Sequence, residues 1–177
     1  ESNFGKVSLA YGSNGAEDIN AMYSFKKGKT GVSVSASKYK QDYYKYRDYK
    51  TDKTNRWPCP SDFENEKVSL KIDHQINDDS SLLVGYDYSK FEGCAPGSLR
   101  YAKDYWAPVD KSTDNIYARY DWTLNNRDKG YFQFYHNEYE YFNTGGMEEK
   151  TNGLDVQQAI TLNEKNTMVI GASWRKA

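Results

Sequence analysis

Hydrophobic and polar residues alternate with period two along nearly the whole chain, the signature of strands with one apolar face. Val7, Leu9 and Tyr11 oppose Lys6, Ser8 and Ala10; Ile19, Ala21, Tyr23 and Phe25 oppose Asn20, Met22, Ser24 and Lys26. Val32, Val34 and Ala36 oppose a run of serines, and Val68, Leu70 and Ile72 oppose Ser69, Lys71 and Asp73. The same pattern returns in Leu82–Tyr88, Ile116–Leu124, Leu154–Leu162 and Met168–Trp174. Tyr131–Phe142 is strongly aromatic, and its parity shifts midway, which predicts a β-bulge. No stretch carries a 3.6-residue apolar stripe over three turns. The pattern therefore predicts about nine strands and an all-β, antiparallel up-and-down fold.

The connections sharpen that expectation. KKGKT, NDDS, NNRDK and NEKN form short polar turns at every second junction. Two connections at the opposite end are long, at about 46–66 and 92–113. Short turns at one end and long loops at the other are the layout of a transmembrane β-barrel. Strands of about ten residues suit a tilted crossing. Tyr11, Tyr23, Tyr86, Tyr88, Trp122, Tyr139, Tyr141 and Trp174 lie near strand ends, where interfacial girdles sit. A soluble β-sandwich shares the periodicity, since its outer face is also polar.

Composition bears on the partners. The 177 residues hold 24 Lys plus Arg and 25 Asp plus Glu, for a net charge of −1, which argues against a nucleic-acid binder working by bulk positive charge. Tyr numbers 17 against 7 Phe, suiting a surface apolar on one side and wet on the other. The chain opens ESNFGK, with no basic segment followed by an apolar one, and reads as a mature chain, a cytosolic chain or a fragment.

Three runs carry a family resemblance: GKVSLAYGSNG, YSFKKGKTGVSVSASKYKQDYY and the closing NTMVIGASWRKA. They resemble barrel strands of TonB-dependent outer-membrane receptors, with a layout nearest the vitamin B12 and small-siderophore branch. The resemblance implies a multi-pass protein of the bacterial outer membrane. It implies uptake of an iron chelate, haem or corrinoid, with energy from a TonB-type periplasmic partner. Such receptors join a plug domain to a barrel of about 22 strands, so residues 1–177 would be a partial barrel without its plug. The plug and the remaining barrel strands would then be partners, alongside outer-membrane lipid. A small porin-like or structural barrel, and a soluble β-sandwich binding carbohydrate through loop aromatics, are the other readings.

Within that layout Cys59 and Cys94 fall in the two long loops. A disulfide would tie these loops in an oxidising compartment; two unrelated thiols are the other reading. Tyr43, Tyr44, Tyr46, Trp57, Tyr101, Tyr105 and Trp106 crowd the same loops and form a candidate ligand-gripping surface, or a loop-packing one. Lys71, Asp73, Asp87, Arg119 and Asp121 take lumen-facing positions, where cross-strand pairing is expected. No enzyme is expected. GKT at Gly28–Thr30 lacks the earlier phosphate-loop glycine, where Tyr23 stands, and His74 and His136 are isolated. No metal-ligand spacing is present and no cofactor is expected. The loop carboxylates Asp48, Asp52, Asp62, Glu64, Asp104 and Asp110 offer a candidate Ca²⁺ site without EF-hand spacing.

Overall fold

Alternating β-branched and aromatic residues between Gly- and Asn-rich turns build the nine strands the pattern predicts, and two short strands form where it predicts a long loop. In chain order the strands are β1 (Ser2–Tyr11), β2 (Glu17–Lys27), β3 (Thr30–Gln41), β4 (Lys45–Asp48), β5 (Lys53–Arg56), β6 (Phe63–Asn77), β7 (Ser80–Ala95), β8 (Ala107–Leu124), β9 (Asp128–Phe142), β10 (Met147–Asn163) and β11 (Asn166–Lys176), β4 and β5 being the short pair. The computed structural model describes residues 2–42, 45–48, 53–56, 62–95, 107–125, 127–142 and 145–177; for 45–48, 53–56, 94, 95, 107 and 108 it describes the backbone alone. Nine strands form one sheet in the order β1-β2-β3-β6-β7-β8-β9-β10-β11, each antiparallel to its neighbour, and β4 and β5 make a separate hairpin. The chain is all-β among the described residues, and the sheet is not closed.

Three expectations change. The strands reach further than alternation showed: β7 ends at Ala95 and β8 starts at Ala107, so the connection expected over 92–113 is shorter, while β3 ends at Gln41 and β6 starts at Phe63, so the one expected over 46–66 is displaced toward β3 and contains β4 and β5. Beyond the apolar stretch its face turns ionic while Phe63, Phe91 and Tyr141 stand on the other, so the alternation that marked the strand is lost although the ladder continues. The bulge expected in Tyr131–Phe142 is absent: β9 pairs with β8 and β10 in unbroken register. The apparent shift arises because His136, Glu138 and Glu140 occupy the face that Phe132 and Phe134 share lower down. Tyr139 and Tyr141 accordingly sit on the opposite, polar face and leave the girdle.

The sheet is a single layer. Among the described residues Val109 is the one buried apolar side chain, while Val7 is 71% exposed, Leu9 61% and Ile170 55%. The chain exposes 12770 Å². A compact protein of this size exposes roughly 9,000 Å². None of the described residues covers the apolar face.

One hydrogen-bonded row can be followed across all nine strands: Asn3, Phe25, Val32, Ile72, Val84, Ala118, Phe134, Leu154 and Trp174. The four short turns step away from this row in order. Thr30 lies two residues past Val32, Ser80 four past Val84, Asp128 six past Phe134 and Asn166 eight past Trp174. The aromatic edge at the other end steps equally. Tyr11 lies eight residues beyond the row, Tyr88 four, and Trp174 on it. Small irregularities at Gln75/Asn77 and Thr161/Asn163 absorb one residue each in the incoming strand. Turns and aromatics thus shift together by one residue per strand.

Candidate functional site

The two faces of the sheet differ in chemistry, and every strand contributes to both. On one face the register joins Val7, Ala21, Val34, Leu70, Val84, Ala118, Phe134, Leu154 and Ile170 with their same-face neighbours into an apolar band, interrupted at Gln158, whose amide oxygen accepts the Trp122 indole N–H at 2.7 Å. Tyr11, Tyr88 and Trp174 stand along one edge of the band, and Phe25 and Trp122 along the other. Tyr120 stacks on Trp122 with ring centroids 5.7 Å apart. At about 3.4 Å per residue, the two aromatic edges lie roughly 24 Å apart along a strand.

Past the upper edge the same face becomes ionic. Lys38 bridges Glu64 and Glu66, which pushes its ammonium up to about 12 and holds the Glu66 carboxyl below its ordinary range. Lys90 pairs with Glu92, and Lys150 lies 3.0 Å from Glu148 and 3.3 Å from Glu138. These pairs are exposed and add little stability. They mark where the apolar band stops. At the turn end Asp128 accepts the Thr161 backbone N–H at 2.7 Å, which lowers its pKa.

The opposite face is hydrophilic and concave. Lys6, Ser8, Asn20, Ser35, Ser37, Lys67, Ser69, Asp87, Ser89, Thr113 and Asn115, from six adjacent strands, line one hollow of about 690 Å³. Lys71, Asp73, Asp87, Arg119 and Asp121 all fall on this face, as their parity predicts. The cross-strand ion pairing expected among them is not what forms. Arg119 binds Asp121 two residues along the same strand at 2.8–3.0 Å, and its guanidinium stacks 4.0 Å from the Tyr131 ring centroid. Asp87 instead accepts the Ser69 hydroxyl at 2.5 Å across the β6–β7 ladder. Lys111 stands 5.5 Å from the Tyr141 ring and 5.8 Å from that of Phe91.

Cys59, Tyr43, Tyr44, Trp57, Tyr101, Tyr105, Trp106, Asp52 and Asp104 lie outside the described residues. Tyr46 and Asp48 are placed by backbone in the small hairpin, and Cys94 stands opposite Pro108. Among the described residues no three His, Cys, Asp or Glu side chains group as metal ligands.

Sequence reasoning missed the aromatic–glycine contacts that pave the polar face. Tyr117 lies over Gly85 and Tyr135 over Gly153. A lone glycine inside a strand signals such close approach.

Comparison with protein-family models, with curated proteins and with solved structures gives no match.

Proposed function

We propose that the chain is the barrel portion of an outer-membrane transport receptor, with its apolar band against lipid and its concave polar face toward the lumen. The observation that carries the membrane reading is the stagger. If the four short turns lie at one level, each strand is offset from the next by one residue. With about 3.4 Å per residue and about 4.8 Å between strands, that offset tilts the strands by about 35°. Strands of transmembrane barrels tilt by ≈ 35–45°. The aromatic edges are then separated by about 20 Å perpendicular to the band, near the ≈ 25 Å apolar belt of such barrels. A polar backbone crosses hydrocarbon only when every strand is paired, so further strands close the sheet at β1 and β11.

The receptor reading within that class rests on the resemblance of GKVSLAYGSNG and NTMVIGASWRKA to TonB-dependent barrel strands. In it, a plug domain occupies the lumen and a TonB-type protein supplies energy from the periplasm. An iron chelate, haem or corrinoid is the cargo, and the protein binds and moves it without catalysis.

Spin labels test the orientation. Labels at Leu70, Val84, Ala118 and Ile170 should collide with oxygen in lipid; labels at Ser69, Asp87 and Thr123 should meet a water-soluble relaxer. Uniform water exposure at the first set ends the membrane reading. Uptake of labelled ferric chelates, haem and cobalamin should require both this protein and the energy-transducing partner. Equal uptake without either removes the receptor while leaving the barrel.

A further inference from the structure

One row of the polar face runs Lys71, Gly85, Tyr117, Tyr135, Gly153, Arg175. The two tyrosines are direct neighbours on β8 and β9, yet each has a glycine on its far side. Both rings use that space. A Cβ on Gly85 would fall 2.2 Å from Tyr117 Cζ, and one on Gly153 would fall 2.0 Å from Tyr135 Cζ. The tips of the rings therefore lean away from each other, over the glycines of the neighbouring strands. A trough of about 640 Å³ includes the space between them.

The trough has polar walls. The Asn115–Asn137 pair bounds it on one side and the Arg119–Gln133 pair on the other. Arg119 is already bound to Asp121, so its charge is neutralised in place. Of the other charged residues lining the trough, Asp87 and Arg175 are opposite in sign and stand on β7 and β11, at its two ends. Flat aromatic faces suit the apolar C–H faces of a sugar ring, and planar amides suit its equatorial hydroxyls. The volume matches a small-ligand site of ≈ 300–1,000 Å³.

We propose that this trough binds a neutral pyranose oligosaccharide between Tyr117 and Tyr135. The site is built by the polar face alone, so it stands whether or not the apolar face meets lipid; in the receptor reading it lies between the barrel wall and the plug, and the sugar occupies that space. It is also separate from the long loops.

The test is calorimetric titration of the intact protein, purified in detergent, with maltohexaose and with cellohexaose. Saturable binding to at least one is expected. The Gly85→Ala/Gly153→Ala variant forces both rings over the trough and should weaken binding about tenfold, or about 1.4 kcal/mol. Lys165→Ala, in the β10–β11 turn away from the trough, should bind as the parent does. If the glycine variant loses its β-sheet circular dichroism, Tyr135→Ala and Asn137→Leu replace it, with the same loss expected. Absence of saturable binding to both sugars overturns the proposal. So does unchanged affinity in a folded glycine variant or in both replacement variants.

Discussion

Ala118 stands at mid-height of the apolar band, between the Tyr88 edge and the Trp122 edge on neighbouring turns of the ladder. A lysine there would place an ammonium where the band is widest from water on either side. Ala118→Lys should destabilise the protein in a bilayer by about 2–4 kcal/mol, the depth-dependent cost at a barrel's lipid face. Thr123→Lys, on the polar face of the same strand, should change stability by less than about 0.5 kcal/mol. Urea titration in lipid vesicles measures both, and equal small effects would show that Ala118 meets water. Residue parity was legible from hydropathy wherever one face was apolar, as at Ile116–Leu124. It was not legible at Tyr139 and Tyr141, because there the facing positions Glu138 and Glu140 are polar too. Nor was the Arg119–Asp121 pair, since a spacing of two along a strand puts both side chains on one face without saying which partner each will choose.

The strands carry their own test, through the stagger of their turns. Labels at Lys29, Asp79, Arg127 and Lys165, one in each short turn, should report the same depth at one membrane surface. Labels along the hydrogen-bonded row should not. Phe25 and Trp174 belong to one row, yet Phe25 stands at the turn-side edge of the band and Trp174 at the other. If the strands stood upright, successive turns would instead differ in depth by about 7 Å, two residues of rise. Collision with a nickel-bearing lipid headgroup distinguishes the two patterns. The existence and order of the nine strands could be read from alternation and turn residues, because a one-residue slip would have turned each apolar set to the wrong face. The stagger could not, because register is a relation between strands. The strand ends past Tyr88 and His136 were hidden for a different reason: Lys90, Glu92, Glu138 and Glu140 keep the ladder but not the hydropathy that reveals it.

At the scale of the whole sheet, the unpaired edges decide what this polypeptide can do by itself. Among the described residues, β1 and β11 each present one row of backbone donors and acceptors without a neighbouring strand. In hydrocarbon each such group costs several kcal/mol, and a crossing strand carries several of them. The two edges cannot meet as the other strands do. In an up-and-down sheet of nine strands the first and last run in the same direction, so β1 against β11 would form the one parallel junction in an antiparallel sheet. Bacterial single-chain barrels avoid this with an even number of strands. The apolar band adds a further demand, since Val7 on β1 and Ile170 on β11 are both more than half exposed and both continue the apolar surface to the edge. The 177-residue polypeptide alone, diluted from urea into detergent micelles, should therefore aggregate or remain unfolded. It should fold when further barrel strands are supplied to pair with β1 and β11. Gel mobility before and after heating, with circular dichroism, reads the outcome. A folded monomer with heat-modifiable mobility would mean that the sheet closes on itself through a parallel β1–β11 ladder, and the demand for further strands would fall.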